Sequence, residues 1–387
     1  MPSEKTQTPI EIVPVATRSD WREFHRVPYR VYAGDPNWIA PILLERKFHF
    51  DPKHNPFFQH AEAAFWLARI GGVAVGRISA QIDRLHLERY QDGTGHFGFI
   101  EAVDDPRVFA ALLETAETWL RDKGMRRARG PVSFSMWDQP GVLLEGFGTP
   151  ASVLMGYAKP YFALHIAVAG YTPIEDLIAY DYTPDVVMKP AVARIIERSQ
   201  ARGEIVFRDL RMDSKHIDGE IALLLDIVND GWSDNWGFVP LTKAEGDDMA
   251  AIFKLILRPK DVVIAEYKGT PMAFVMTIPD LNEAARDLNG HLFPFGWIKL
   301  LWRMKVTGTK KVRMALMGVR KSVQDSPVGA ALSLGIIKKI RDYQFGRGVT
   351  NGELSWVLDR NTRVRHVIEM AGAKPYKRYR IFEKDLS

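Results

Sequence analysis

Apolar residues recur along this chain at two spacings, and the spacings mark out its elements. Apolar stretches over Ala61 to Ile70 and Val73 to Ile82, joined by Gly71-Gly72, predict a β-hairpin. A second hairpin pattern covers Val262 to Tyr267 and Met272 to Ile278 around Gly269. Strands are also expected at Ile10 to Val15, His96 to Val103, Arg126 to Phe134 and Ile205 to Leu210. Spacing by three and four predicts helices instead. Asp20 to Val31 turns Trp21, Phe24 and Val27 inward. Asp105-Pro106 opens a helix striped with Phe109, Leu112, Ala116 and Leu120, with Gly124 at its end. Asp213 or Ser214 caps a helix that puts Ile217, Ile221, Leu224, Leu225, Val228 and Trp232 on one face, and Asp247 to Leu257 forms the next.

The run from Val312 to Ala373 reads strand, turn, helix, strand, helix. Val312 to Arg320 is an apolar strand, Lys321 to Val328 a loop with turn residues, and Gly329 with two alanines opens a helix. Leu332, Ile336, Ile340 and Tyr343 share its buried face, and Gly346 and Gly348 stop it. Glu353 to Leu358 is the second strand, Asp359 to Thr362 a cap, and Arg363 to Met370 the last helix. A first turn of Gly-Ala-Ala leaves backbone N–H groups uncovered by side chains, which suits an anion such as a diphosphate. Arg320 and Lys321 add positive charge there; the competing reading is an ordinary strand-to-helix turn.

The chain repeats itself. Ala169, Gly170 and Pro173 fall on Ala371, Gly372 and Pro375 at a shift of 202 residues. Ala110-Ala111-Leu112 and Arg121-Asp122 fall on Ala330-Ala331-Leu332 and Arg341-Asp342 at 220, and the two hairpins match at 197. Two copies of one module follow: residues 1–182, a linker 183–203 with a helix over Ala191 to Arg202, and residues 204–387. Changes of shift place extra residues near Ser135 to Gly156 in the first copy and over 279–311 in the second. From Leu288 to Gln324 there are eight Lys or Arg and no acid. Within that stretch Trp297, Ile298, Leu301 and Trp302 with Lys299 and Arg303 suit a membrane interface, the bases facing lipid phosphates; the alternative is a core-covering face with solvated bases.

Composition narrows the classes. The 387 residues are 46% apolar, so two or three domains with full cores are expected. Cysteine is absent, which excludes disulfides, thiolate metal sites and cysteine nucleophiles. The polar N-terminus shows no signal peptide and no run is long enough for a spanning helix, so a cytoplasmic location is expected, with possible placement at the inner face of the membrane. The net charge of +5 suits an anionic ligand or an anionic membrane. Nucleic acid is not expected, because bases and acids are mixed outside one region.

Strand, small-residue loop, helix and strand, then Asn361-Thr362 and Glu369-Met370-Ala371-Gly372, resemble the acyl-CoA-binding core of the GNAT N-acyltransferases. WDQPGVLLEGF, NDGWSDNWGFVPL and ELSWVLDRN together resemble a two-module group that includes the bacterial ceramide synthases, which acylate a sphingoid base. The resemblance implies an α/β (α+β) fold: two tandem GNAT-like modules, each a mixed, mostly antiparallel sheet with flanking helices. It implies acyl-CoA as co-substrate with no permanently bound cofactor and no metal, and a small or lipid amine as acceptor. Loop amides and the helix N-terminus would hold the pyrophosphate, with the pantetheine between splayed strands. The residues so implicated are Val319, Arg320, Lys321, Gln324, Ser326, Val328, Gly329, Ala330 and Asn361. Gln324 lies five residues before Gly329, an irregular spacing, and Ile368 stands where the family often places a general-acid tyrosine.

N-acyl transfer needs a neutral amine, a polarised carbonyl and a proton for the leaving thiolate. Glu353 and Asp359, six apart and so on one side of a strand, are the expected bases, Asp359 first; its other reading is a helix cap. His366 is a further candidate beside a structural role. Trp232, Asn235 and Trp236 are expected to line the acceptor slot or to anchor their loop, and Trp137 and Asp138 to contribute from the first module's insertion. The first module's own loop, Glu101 to Pro106, carries three carboxylates and no glycine, which disfavours a diphosphate. A Fem-type aminoacyl-tRNA-dependent peptidyl-transferase and a non-catalytic acyl-CoA-binding protein are the alternatives.

Overall fold

The computed structural model describes residues 8–186, 194, 197 and 203–386. Apart from Arg194 and Glu197, the expected linker helix lies outside the described residues. The chain divides into two compact units, Met1–Asp176 with Tyr379–Ser387, and Leu177–Arg378.

The first unit contains β1 (Ile10–Pro14), α1 (Arg18–Val31), α2 (Leu43–His49), β2 (Ala61–Ile70), β3 (Val73–Asp83), α3 (Arg84–Tyr90), β4 (Thr94–Ala102) and α4 (Pro106–Asp122). There follow β5 (Arg127–Gly130), β6 (Val132–Ser133), β7 (Gln139–Pro140), β8 (Val142–Glu145), α5 (Tyr161–Val168) and the start of β9 (Thr172–Tyr182). β1, β2, β3 and β4 pair antiparallel in that order, and β4 pairs parallel with β5. The expected stripe Phe109, Leu112, Ala116 and Leu120 is buried on α4.

The second unit holds β10 (Ile205–Asp209), α6 (Ile217–Trp232), α7 (Lys243–Ile256), β11 (Val262–Tyr267), β12 (Thr270–Pro279), α8 (Leu281–Ala285) and α9 (Gly296–Trp302). β13 (Lys311–Val319), α10 (Lys321–Gln324), α11 (Pro327–Gly346), β14 (Asn351–Leu358), α12 (Thr362–Met370) and the start of β15 (Lys374–Asp385) complete it. Its sheet repeats the first: β10 to β13 antiparallel, then β13 parallel to β14. Leu332, Ile336 and Ile340 of α11 are buried among Val263, Ala273 and Val275, each worth about 1.5–3 kcal/mol.

The expected boundary at 182 is corrected by the strand that ends each copy. Leu177–Tyr182 of β9 pairs with β14 in the second unit, and Phe382–Asp385 of β15 with β5 in the first. Hydrophobic period fixes that these residues are extended, not which strand they join. The first helix of the second unit also starts later than expected, at Ile217, because the Asp213 carboxylate bonds the His216 ring (2.7 Å) and the Lys215 amide (3.2 Å). α7 starts earlier, at Lys243, under a Thr242–Glu245 capping box.

Phe293, Phe295, Trp297, Ile298, Leu301, Trp302 and Val306 are all exposed. Lys299 and Arg303, expected from sequence to face lipid phosphates, are paired with an exposed acid. Both bind the Asp287 carboxylate, Arg303 at 2.5 Å, which holds that carboxyl well below its usual range. Among the described residues, no helix is long and apolar enough to cross a membrane.

Candidate active site

β13 and β14 run parallel only from Lys311–Asn351 to Met314–Leu354, and the ladder then stops. On its other edge β13 slips against β12 between Met276 and Thr277, leaving Ala315 out of register. Between the parted strands opens a pocket of about 440 Å³. Ala315, Met317 and Val319 line one wall, Ser355, Trp356 and Leu358 the other. Gly329, Ala330 and Ser333 of α11, with Trp232 and Asn235, add to the lining. Trp232 Nε1 donates to Met317 O (2.8 Å) and Gln324 Nε2 to Val319 O (2.6 Å), so side chains satisfy carbonyls that a neighbouring strand does not.

At the α11 N-terminus, Ser326 Oγ accepts from Gly329 N–H (3.1 Å) and Ser326 O from Ala330 N–H (3.1 Å), while Pro327 has no N–H. The expectation of uncovered Gly-Ala-Ala amides is corrected: the helix begins two residues earlier, and its cap takes these donors. Gly329 serves a close approach, since a Cβ there would run into the Val323 carbonyl of α10. Four-residue α10 replaces part of the expected loop.

The positive groups near this mouth are matched by acids. Arg320 binds Asp226 (2.5 Å), Lys321 binds Asp234 (2.6 Å), and Arg363 binds Asp325. Those three carboxylates are exposed, so each pair holds by about 0–1 kcal/mol and an incoming phosphate can take the cation over.

Behind the pocket wall lies a buried polar chain. Ser355 Oγ accepts from Arg313 Nε (2.9 Å) and donates to Glu353 Oε1, and Tyr376 Oη donates to Glu353 Oε2. Lys377 lies buried near this carboxylate; desolvation pulls its ammonium down to about 8, against the opposing pull of Glu353. Ser355 thus connects the pocket to a carboxylate that the pocket does not touch.

No family profile matches the sequence. A bacterial ceramide synthase of Caulobacter vibrioides (strain NA1000 / CB15N) is 43% identical over 390 residues, 100% of both chains. The chain belongs to the bacterial ceramide synthase family. That makes it an N-acyltransferase. Protein YghO of Escherichia coli (strain K12) is 42% identical over 370 residues, 95% of this chain and 94% of YghO. Among solved structures, a tandem GNAT protein from the clavulanic acid biosynthesis pathway superposes with a TM-score of 0.54 at 13% identity, over 98% of this chain and 99% of that one. A GCN5-related N-acetyltransferase from Sphaerobacter thermophilus gives 0.52 at 12%, over 97% and 96%. At that identity the likeness shows the GNAT fold.

Within this family member, the pocket gathers Trp232, Asn235, Val319, Gln324, Gly329, Ala330, Asn361 and His366 of the residues expected from sequence. Asn361 caps α12, its Oδ1 accepting from Val364 N–H (3.2 Å). Arg320, Lys321, Ser326, Val328, Glu353, Asp359 and Trp236 are not in its lining. Arg360 lies over the Trp236 ring at 5.5 Å. Asp359 does not share a side with Glu353: the β14 register shifts between Leu354 and Val357, and Asp359 sits in the turn beyond, bound to Arg365 at 2.5 Å. Trp137 and Asp138 belong to the first unit, where Asp138 contacts His49 at 2.7 Å, whereas the lining comes wholly from the second. Sequence reasoning missed Ser355, Arg313 and Tyr376. Ser355 and Glu353 at spacing two were the available signal; Tyr376 comes from another strand and left none.

In the first unit, the space beyond the β4–β5 ladder is packed with rings: Phe99 and Phe134 are 4.9 Å apart and Phe50 and Phe99 4.7 Å. The Asp105 carboxylate itself accepts from Arg107 N–H (2.9 Å) at the start of α4.

Proposed function

We propose that the protein transfers a long acyl chain from acyl-CoA to the amine of a lipid-like acceptor, a sphingoid base in particular. The parting of β13 and β14 into a pocket that reaches from the α11 mouth to Ser355 carries this reading. Its support from outside the geometry is the Caulobacter vibrioides relative. The pantetheine lies between the two strands, and backbone N–H groups of the β13 edge polarise the thioester carbonyl. Arg320, Lys321 and Arg363 exchange their exposed carboxylates for the CoA phosphates. The first unit takes no CoA, since Asp105 occupies its helix start and aromatic rings its cleft.

The amine nitrogen attacks the carbonyl carbon and the carbon–sulfur bond breaks. The proton shed by nitrogen passes to Ser355 Oγ as Ser355 gives its own to Glu353; Glu353 then returns that proton through Ser355 to the leaving sulfur, which departs as CoA thiol and leaves Glu353 a carboxylate again. We place the base at Glu353, acting through Ser355, rather than at Asp359, whose carboxylate is held by Arg365 outside the pocket. His366, which lines the pocket, is the second candidate. The exposed aromatic residues of 293–306 hold the enzyme on a membrane face where both lipid substrates reside.

Incubation with palmitoyl-CoA and a sphingoid base, followed by liquid chromatography and mass spectrometry, should give the N-acyl product and free CoA. Absence of amide with palmitoyl-CoA across a panel of lipid amines rejects the reading.

A further inference from the structure

A second cavity, of about 60 Å³, lies in the second unit between α6, α7 and the sheet. Ile221, Leu225 and Val228 of α6, Ala250 and Phe253 of α7, and Leu316 of β13 form its walls. Holding one water takes about 10–15 Å³ and two or more polar partners, so this space has room for several waters and nothing to hold them. Ile221, Leu225 and Phe253 are only half-buried, so the helices do not close over it as they would over a finished core.

The cavity and the active-site pocket share two elements. Val228 lines the cavity and Trp232, four residues on and on the same face of α6, lines the pocket. Leu316 lines the first and Met317 the second. One helical turn of α6 separates Val228 from Trp232, whose indole donates to Met317 O (2.8 Å). Trp232 stands beside the strand gap, its ring 5.9 Å from that of Trp356, so a chain that leaves the gap past Trp232 meets α6.

We propose that this cavity takes the distal part of the unbranched alkyl chain of the acyl donor, entering past Trp232. The proposal rests on the acyltransferase reading above and names the subsite that reading lacks. Each methylene withdrawn from water there favours binding by about fourfold, so the cavity sets which chain lengths are preferred.

The test uses the full chain, Ala250→Phe to fill the cavity and Phe253→Ala to enlarge it. Calorimetric titration with CoA and with lauroyl-CoA measures the chain's contribution without turnover. Ala250→Phe should cut the preference for lauroyl-CoA over CoA by about tenfold or more. In turnover, product acyl length should shorten in Ala250→Phe and lengthen in Phe253→Ala. Donor preference unchanged in both variants, or a shift that follows the amine's chain length instead, overturns the subsite while leaving transfer intact. A protein that binds no CoA ester overturns both.

Discussion

Glu353 is 1% exposed, yet Ser355 donates to one of its oxygens and Tyr376 to the other, with Arg313 Nε 4.0 Å away. Such a carboxylate acts only through a neighbour, and Ser355 is the neighbour that reaches the pocket. Glu353→Gln and Ser355→Ala should each lower kcat by about 10²–10⁴-fold with the melting temperature little changed for Ser355→Ala, whereas Asp359→Ala should keep most activity. Steady-state kinetics beside thermal melts checks this; full activity in Ser355→Ala would remove the relay. The pair was half legible in sequence: Glu353 and Asp359 stand out as acids on a strand, but the register slip after Leu354 that separates them is a tertiary event. A second residue-scale effect concerns His25, packed against Trp21 and Phe50. Burial, with the Arg77 and Arg46 cations, lowers its imidazole to about 4 against Glu45. Its folded value lies below the unfolded one, so its contribution is present above about pH 6.5 and lost as pH falls through 4. That loss amounts to about 3 kcal/mol. Urea titrations at both ends should show His25→Phe shrinking that acid loss; an unchanged difference rejects it.

At the scale of elements, the hairpins and the α4 and α11 stripes were legible because each is a long, strict period. α10 was not, since four residues show no period, and neither was the partner of each copy's last strand. α11 depends on two positions without side chains. A Cβ at Gly335 would enter the Phe207 ring of β10, and one at Gly329 the Val323 carbonyl. Gly335→Ala is therefore expected to cost about 1–3 kcal/mol in chemical denaturation with KM for acyl-CoA near normal. Gly329→Ala moves the mouth of the site instead, so KM should rise by about tenfold or more. The two variants separate helix packing from ligand positioning. Equal KM values for both would mean that the α10–α11 contact has no bearing on the donor.

For the molecule as a whole, the question is what the exposed rings of 293–306 do in water. Phe293 is 72% exposed, Phe295 73% and Trp302 59%, in one short stretch around α9. Each such ring gains about 1.5–3 kcal/mol on full burial, and aromatic residues favour the lipid headgroup boundary. The sequence suggested that basic residues share this attachment, but Asp287 binds both Lys299 and Arg303 and offsets one of their two charges. Ring insertion should then dominate over charge. The protein is expected to sediment with zwitterionic phosphatidylcholine vesicles, with only a modest gain when phosphatidylserine is added. Changing Trp297 and Trp302 together to Ala should abolish sedimentation. Asp287→Asn should instead release the two cations and make binding steeply dependent on anionic lipid and on salt, at about 1 kcal/mol for each freed base. Sedimentation of the unaltered protein with anionic vesicles alone would transfer the attachment from the rings to the charges, and no sedimentation with either would remove the membrane from its function.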